Sequence, residues 1–191
     1  SIITVEYNAV LNENAVIGAT GNTNVAYLEY SSDPNGTDAT SVTPEDGAVV
    51  YTYKLTVNKV DETGYPLEGA GFKLEKLEEE DVGYLLISEI TGGYVTQFDF
   101  VGLDSGTYRL TEITAPTGYN KLEKPIEFII HADIDKEKEY DGSSSTLTSL
   151  SVLLDSDLEI VEELDYGTIT FDVENTAGVS LPSTGGIGTI I

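Results

Sequence analysis

Apolar and polar residues alternate along most of the chain, and no segment of a dozen residues has a convincing helical period. A period of two is the pattern of strands that bury one face. Tyr, Val, Thr and Ile, which favour strands, recur throughout, and 40% of the residues are hydrophobic, which suits a folded protein. The sequence therefore predicts an all-β protein with little helix.

Turn residues divide the second part of the chain into short strands. We predict them at 71–76, 84–90, 94–101, 107–114, 124–132, 147–154 and 167–175, after a long β-rich run at 48–60. Short strands at this spacing are typical of antiparallel β-sandwiches of the immunoglobulin-like or prealbumin-like kind. Before the run, we predict strands at 3–7 and 25–30 and a loop at 31–46.

The run at 48–60 is too long for one ordinary strand of about 5 or 6 residues, so we place a domain boundary near Tyr53. This gives a truncated domain at residues 1–53, a complete sandwich at 54–178 and a Ser/Gly/Pro-rich tail at 179–191. The chain begins without a signal peptide and ends in an apolar run shorter than a membrane span. Both ends are therefore expected to be cut.

Charge and composition exclude several classes of function. With 34 acidic and 9 basic residues the net charge is −25, so nucleic acid is not an expected partner. The chain has no Cys, and His131 is its one His, which leaves almost nothing for a His-dependent triad or a metal cluster. We expect no metal and no cofactor.

Two acidic segments need separate consideration. Asp155, Asp157 and Glu159 alternate in a way that suggests Ca²⁺ ligands, but the loop lacks the Gly and the distant Glu of an EF-hand, so a solvated hairpin is the preferred interpretation. The mixed-charge run at 133–141 is predicted to be an exposed turn.

Three polar residues follow apolar rows on what should be buried strand faces. Lys59 continues the row of Tyr53, Leu55 and Val57; Glu112 continues that of Tyr108 and Leu110; Asn175 continues that of Ile169, Phe171 and Val173. Burying an amine, a carboxyl and an amide singly costs several kcal/mol each, so we expect them to meet.

If they meet, a reaction between them becomes feasible. Burial favours a neutral amine beside a protonated carboxyl, and the amine of Lys59 would then attack the side-chain carbonyl of Asn175 while Glu112 shuttles protons and ammonia leaves. The product is an amide crosslink. The alternative is a buried Lys-to-Glu ion pair with Asn175 hydrogen-bonded nearby, or strand ends where all three reach water.

Three stretches of the chain carry recognisable motifs. YRLTEITAPTGY at 108–119 fits the pattern YxLxExxAPxGY at every defined position, and so resembles the E-box of Gram-positive pilins and of Cna B-type domains. VNKVDETGYPLEGAGFKLEK at 57–76 is similar to the opening of a Cna B-type domain, and ITFDVENTAG at 169–178 to its closing strand. The resemblance implies a prealbumin-like sandwich in which Lys59 and Asn175 form an isopeptide bond and Glu112 is catalytic.

The motif LPSTG in the tail resembles the LPxTG sorting signal of sortases. It comprises Leu181, Pro182, Ser183, Thr184 and Gly185. The resemblance implies cleavage between Thr184 and Gly185 and transfer of the Thr184 carbonyl to a lysine of the next pilin or to the peptidoglycan precursor. An ordinary Pro/Gly tail is the alternative.

Residues 1–52 resemble, more weakly, the end of a preceding isopeptide domain in backbone pilins, through AVLNENAVIG at 9–18 and LEYSSDP at 28–34. The acceptor lysine of the pilin motif, a YPK-like sequence, is not visible in the chain.

Together these features predict a structural protein of the cell wall or pilus surface of a Gram-positive bacterium, with a single-turnover crosslink rather than a turnover enzyme. Its expected partners are a sortase, neighbouring pilin subunits, peptidoglycan or its precursor, and host surface molecules. The alternatives are the stalk of a singly anchored adhesin and, from another class, a carboxylate-pair hydrolase using Glu112.

Overall fold

The computed structural model describes residues 4–32, 36, 39–78, 82–135, 146–154 and 158–178. Every regular element among them is a β-strand, which confirms the all-β prediction. The strands are β1 (Asn22–Ala26), β2 (Glu29–Ser31), β3 (Thr40–Val42), β4 (Asp46–Val50), β5 (Tyr53–Asp61), β6 (Gly71–Leu77), β7 (Tyr84–Ile90), β8 (Gln97–Leu103), β9 (Gly106–Thr114), β10 (Ile126–Ile134), β11 (Leu147–Leu154), β12 (Ile160–Glu163) and β13 (Thr168–Asn175). In these ranges, no helix is long and apolar enough to cross a membrane.

The strands form two large sheets and two small ones. One sheet has the order β11-β10-β9-β6-β7 and another the order β12-β13-β5-β8, while β1 pairs with β4 and β2 with β3. The pairs β1–β4, β2–β3, β6–β7, β6–β9 and β10–β11 are antiparallel. This arrangement agrees with the predicted antiparallel pattern.

The chain divides into two compact units. The first comprises Ser1–Thr56, Asp99–Thr107 and Phe128–Thr170, and the second Val57–Phe98, Tyr108–Glu127 and Phe171–Ile191. In the first unit the buried residues include Leu55, Phe100, Phe128, Ile130 and Ile169. In the second they include Val57, Phe72, Leu74, Leu110 and Phe171.

Alternation decides which residues enter these cores. In β13 the residues at 169, 171, 173 and 175 are buried, while those between them are partly or fully exposed. Because side chains of a strand point to opposite faces in turn, an apolar residue at every second position is sufficient to fix the buried face.

Several predicted strands agree closely with the structure. The bounds of β7 and β11 are as predicted, and those of β6, β8, β9, β10 and β13 differ by three residues or fewer at each end. The long run at 48–60 is interrupted at Tyr51 and Thr52, between β4 and β5. The domain boundaries themselves, at 53 and 178, stay a prediction.

Three predictions about the first part of the chain were wrong. Residues 4–7 are not in a strand, and the side chains of Val5 and Tyr7 are exposed. The predicted strand at 25–30 is two strands, β1 and β2, with different partners, and the predicted loop at 31–46 contains β3. In each case the backbone partner, which alternation alone does not reveal, decides whether a strand forms.

Two glycines bring backbones together in the first unit. A Cβ added at Gly167 would lie 2.5 Å from the Cα of Gly18, and one at Gly18 would lie 2.5 Å from the carbonyl oxygen of Asp165. Gly18 N–H donates to the Thr52 carbonyl, and Ala19 N–H donates to that of Asp165. The segment at 16–21 is therefore fixed on the turn at 164–167 without intervening side chains.

Candidate functional site

Lys59, Glu112 and Asn175 are all buried in the second unit, as predicted. Their exposed fractions are 0%, 1% and 1%. Lys59 comes from β5, Glu112 from β9 and Asn175 from the last position of β13. The alternative in which the three residues reach water at strand ends is therefore excluded.

The amine of Lys59 reaches β13. Its Nζ donates hydrogen bonds to the carbonyls of Val173, at 2.6 Å, and Val60, at 2.9 Å. Val173 precedes Asn175 by two residues on the same strand face. The amine is thus held next to the row of side chains that ends in the amide.

Burial lowers the pKa of Lys59 from 10.5 to about 8, because desolvation penalises the charged amine. The carboxyl groups of Glu112, Glu174 and Asp61 oppose this shift. At neutral pH a larger fraction of this amine is therefore uncharged, and so nucleophilic, than of an exposed lysine.

Glu112 contacts Asn175 directly. The Asn175 amide nitrogen donates to Oε2 of Glu112 at 3.0 Å, and the backbone N–H of Leu122 donates to the same oxygen at 2.7 Å. The amide nitrogen also donates to the carbonyl of Asn120. The carboxyl thus lies beside the nitrogen that would leave as ammonia.

Two buried oxygens of this site, Oε1 of Glu112 and Oδ1 of Asn175, have no hydrogen-bond partner among the residues that the structure describes. Both are acceptors when Glu112 is ionised, so neither can satisfy the other. An unsatisfied buried acceptor costs about 1–3 kcal/mol. These two oxygens are therefore the incompletely satisfied atoms of the site.

Aromatic residues line the same part of the core. Phe72 lies opposite Glu112 in the register of β6 and β9, so its ring shares the face of the carboxyl. Phe72 and Phe98 pack edge to face with their centroids 4.9 Å apart. The carboxyl of Glu112 therefore lies on an apolar face of its sheet, beside aromatic side chains.

Sequence reasoning missed the two backbone groups of the site, the Leu122 N–H and the Asn120 carbonyl. Residue types give no signal for a backbone contact of this kind, because every residue except proline has both groups. The E-box motif ends at Tyr119, immediately before them.

A second buried carboxylate was also missed. Glu75 is 8% exposed and forms ion pairs with Lys73, at 3.1 Å, and Arg109, at 3.0 Å. Arg109 also lies over the ring of Tyr84, 3.9 Å from its centroid. Desolvation raises the pKa of Glu75, but the hydrogen bonds from Lys73 and Arg109 outweigh it and hold the pKa below its ordinary value.

Other predicted residues belong to the first unit or lie outside the described residues. Leu181, Pro182, Ser183, Thr184 and Gly185 lie outside them, as do Asp155 and Asp157. His131 is exposed, 3.9 Å from Asp133. Among the residues that the structure describes, no three His, Cys, Asp or Glu side chains are grouped to hold a metal ion.

Comparison with known proteins identifies a family match in the middle of the chain. Residues 53–143 match the family model of the SpaA prealbumin-like fold domain. Over 132 residues, the chain is 33% identical to the trypsin-resistant surface T6 protein of Streptococcus pyogenes serotype M6, a match that covers 61% of this chain and 23% of that protein. The chain thus spans about a quarter of this relative.

Two solved structures have the same fold. The T6 backbone pilin of S. pyogenes serotype M6, a modular three-domain protein, superimposes with a TM-score of 0.59 at 20% identity, over 89% of this chain and 46% of that one. The major pilin GBS80 of Streptococcus agalactiae, as a C-terminal fragment, gives a TM-score of 0.50 at 24% identity, over 62% and 48%. At these identities the likeness establishes the fold alone. The family match confirms the predicted resemblance to Cna B-type and SpaA-like pilin domains.

Proposed function

We propose that this chain is a structural subunit of a surface pilus of a Gram-positive bacterium, stabilised by a self-catalysed bond between Lys59 and Asn175. The similarity of residues 53–143 to the SpaA prealbumin-like fold domain, and of the chain to a streptococcal surface protein, supports the pilus assignment. One observation supports the bond above all others: the amine, the carboxyl and the amide are buried in one unit, with Glu112 hydrogen-bonded to Asn175 at 3.0 Å. Its localisation is then the pilus or cell-wall surface.

The proposed reaction exchanges one amine for another on the Asn175 carbonyl carbon. Neutral Nζ of Lys59 attacks this carbon while Glu112 donates a hydrogen bond to the carbonyl oxygen. Nζ then loses one proton to the carboxyl group, and the carboxyl group returns one to the departing nitrogen, which leaves as ammonia. Glu112 ends in the state in which it began, and the reaction turns over once.

Such a bond has a mechanical role. It would join β5 to β13, so tension between these strands passes through covalent bonds rather than through the hydrogen bonds of the sheet. It also closes a loop of roughly 100 residues, which by chain entropy is worth about 4–5 kcal/mol.

Intact-mass measurement tests the bond. We expect the purified chain to be lighter than its sequence mass by one ammonia, and the Glu112→Ala, Lys59→Ala and Asn175→Ala variants to have their full sequence masses. An unchanged mass in the unmodified chain would leave the buried ion pair, or a carboxylate-pair hydrolase using Glu112, as the better interpretation.

We further propose that a sortase recognises Leu181, Pro182, Ser183, Thr184 and Gly185 and joins Thr184 to a neighbouring pilin subunit or to peptidoglycan. The sequence LPSTG and the relation to a streptococcal surface protein support this. Incubation with a sortase and a labelled amine should attach the label at Thr184, and Thr184→Ala should prevent it. If the full-length protein forms lysine-linked polymers, the pilin interpretation is favoured. If it is attached to the cell wall only as single copies, the adhesin-stalk interpretation is favoured. Host surface molecules are further candidate partners.

A further inference from the structure

The loop between β9 and β10 contacts the candidate site through its backbone. The Leu122 N–H donates to Glu112 Oε2 at 2.7 Å, and the Asn120 carbonyl accepts from the amide nitrogen of Asn175. One short segment therefore contacts both the proton-transferring carboxyl and the group that leaves.

The same loop is fastened to the residues that follow Asn175. The Asn120 N–H donates to the Thr176 carbonyl at 2.9 Å, and the Gly178 N–H donates to the Gly118 carbonyl at 2.7 Å. Tyr119 also pairs in antiparallel fashion with Ala177. Because these bonds tie residues 118–120 to residues 176–178, the Asn120 carbonyl is held close to the amide of Asn175.

Two N–H groups donate to the same oxygen of Glu112. Asn175 and Leu122 donate to Oε2, while Oε1 is buried and has no partner within the described part of the chain. An N–H donor requires a lone pair on its acceptor, so two donors at Oε2 disfavour a proton there. A proton on this carboxyl therefore belongs on Oε1.

We propose that the backbone N–H of Leu122 is a positioning group for amide formation: it orients Glu112 so that Oε2 faces the leaving nitrogen and Oε1 carries the proton. This inference rests on the proposed function. Leu122 gains and loses no proton in the reaction, since the proton from Lys59 Nζ reaches the departing nitrogen through Glu112. Its role is to orient the carboxyl.

The test follows bond formation in time. Full-length chain is recovered unfolded and uncrosslinked from inclusion bodies dissolved in denaturant, checked to have its full sequence mass, then refolded and sampled for the loss of ammonia by intact mass. Leu122→Pro removes the N–H, and Leu122→Ala retains it as the matched control. We expect bond formation to slow roughly tenfold in Leu122→Pro, the effect of one hydrogen bond, and to keep its rate in Leu122→Ala.

A second variant covers the case in which proline prevents folding. Incorporation of the α-hydroxy analogue of leucine at position 122 replaces the amide by an ester and removes only the N–H. The same replacement at Glu123 is its control. Slow crosslinking at 122 and normal crosslinking at 123 would support the positioning role.

The outcomes separate this inference from the proposed function. If the unmodified chain loses ammonia and the ester at 122 does so at the same rate, the positioning role is overturned and the crosslink stands. If the unmodified chain never loses ammonia, both are overturned.

Discussion

The amide nitrogen of Asn175 lies 3.0 Å from Oε2 of Glu112, although the two residues are 63 positions apart in the chain and both are almost completely buried. A carboxyl held against an amide in a dry core is poorly solvated and only partly satisfied. It follows that changes at this site should alter both stability and the chemistry of the neighbouring amine.

Loss of the crosslink should be visible as loss of stability. We expect Glu112→Gln, which keeps the shape of the side chain but not its acid–base function, to unfold about 4–5 kcal/mol more easily than the crosslinked chain, because its unfolded state regains the entropy of an open loop. Denaturant titration measures this. A variant that is free of the bond by mass but as stable as the unmodified chain would contradict the expectation.

The rate of bond formation should fall above about pH 8. The reactive form of the site has a neutral Lys59 amine and a protonated Glu112 carboxyl, and the unreactive form is the ion pair of the same two groups. Both forms carry the same number of protons, so pH does not change their ratio, or the rate, until the site loses a proton. Because the pKa of Lys59 is lowered to about 8, the proton is lost above that value. Refolding at a series of pH values, with intact mass as the readout, measures the profile; a rate that keeps rising above pH 8 would mean that the carboxyl need not donate a proton.

An uncrosslinked chain should become more stable as the pH rises from about 8 towards 10.5. Burial lowers the pKa of Lys59 from 10.5 to about 8, so in this range the unfolded state binds more protons than the folded state. Asn175→Ala keeps the amine free, and Asn175→Ala with Lys59→Met removes it. The free energies of unfolding of the two variants are measured by urea titration at each pH. Between about pH 8 and 10.5, their difference should change by up to about 3 kcal/mol in favour of the single variant. A difference that does not change with pH would contradict the lowered pKa of Lys59.

Arg109→Met should destabilise the fold by about 1–3 kcal/mol, because it leaves the buried carboxylate of Glu75 without its arginine partner. Lys54→Met is the matched control. Its ion pair with Asp99 is 3.8 Å long and the two side chains are 30% and 47% exposed, so we expect an effect below about 1 kcal/mol. Equal losses in the two variants, measured by denaturant titration, would show that burial of Glu75 is unimportant.

Gly167→Ala should cost more than Gly64→Ala. Both glycines have positive φ, at 60° and 82°, and so share the strain of a left-handed backbone, about 1–2 kcal/mol. A Cβ at Gly64 meets nothing within 4 Å, whereas one at Gly167 lies 2.5 Å from Gly18. We expect a further 1–3 kcal/mol, roughly, at Gly167 in thermal unfolding, the cost of overpacking. Equal losses of stability in Gly167→Ala and Gly64→Ala would mean that the structure around Gly18 relaxes to admit the Cβ at no measurable cost.

Alternation predicted the strands of the candidate site well because these strands bury one face and expose the other. Lys59, Glu112 and Asn175 could be selected from the sequence because each breaks an apolar row, and the structure confirms that all three are buried. The contact between Glu112 and Asn175 is long-range. The cost of burying the groups singly and the family motifs both predict that they meet, but neither gives the geometry of the contact.

The first part of the chain was harder to predict, for a physical reason. Val5 and Tyr7 alternate with polar neighbours, yet they are 79% and 65% exposed. Whether such a segment becomes a strand depends on a partner, which local pattern does not specify. Backbone contacts, such as the Leu122 N–H to Glu112, are invisible to sequence reasoning for the same reason.

The close approach of the backbones at Gly18 and Gly167, where a Cβ at Gly167 would lie 2.5 Å from the Gly18 α-carbon, limits how this part of the chain can bend. Where a layer of side chains separates two backbones, changes of rotamer absorb small displacements. No such layer exists here, so bending must distort bond angles or break the hydrogen bonds at Thr52 and Asp165. A filament built with joints of this kind would return elastically after small deflections instead of folding over.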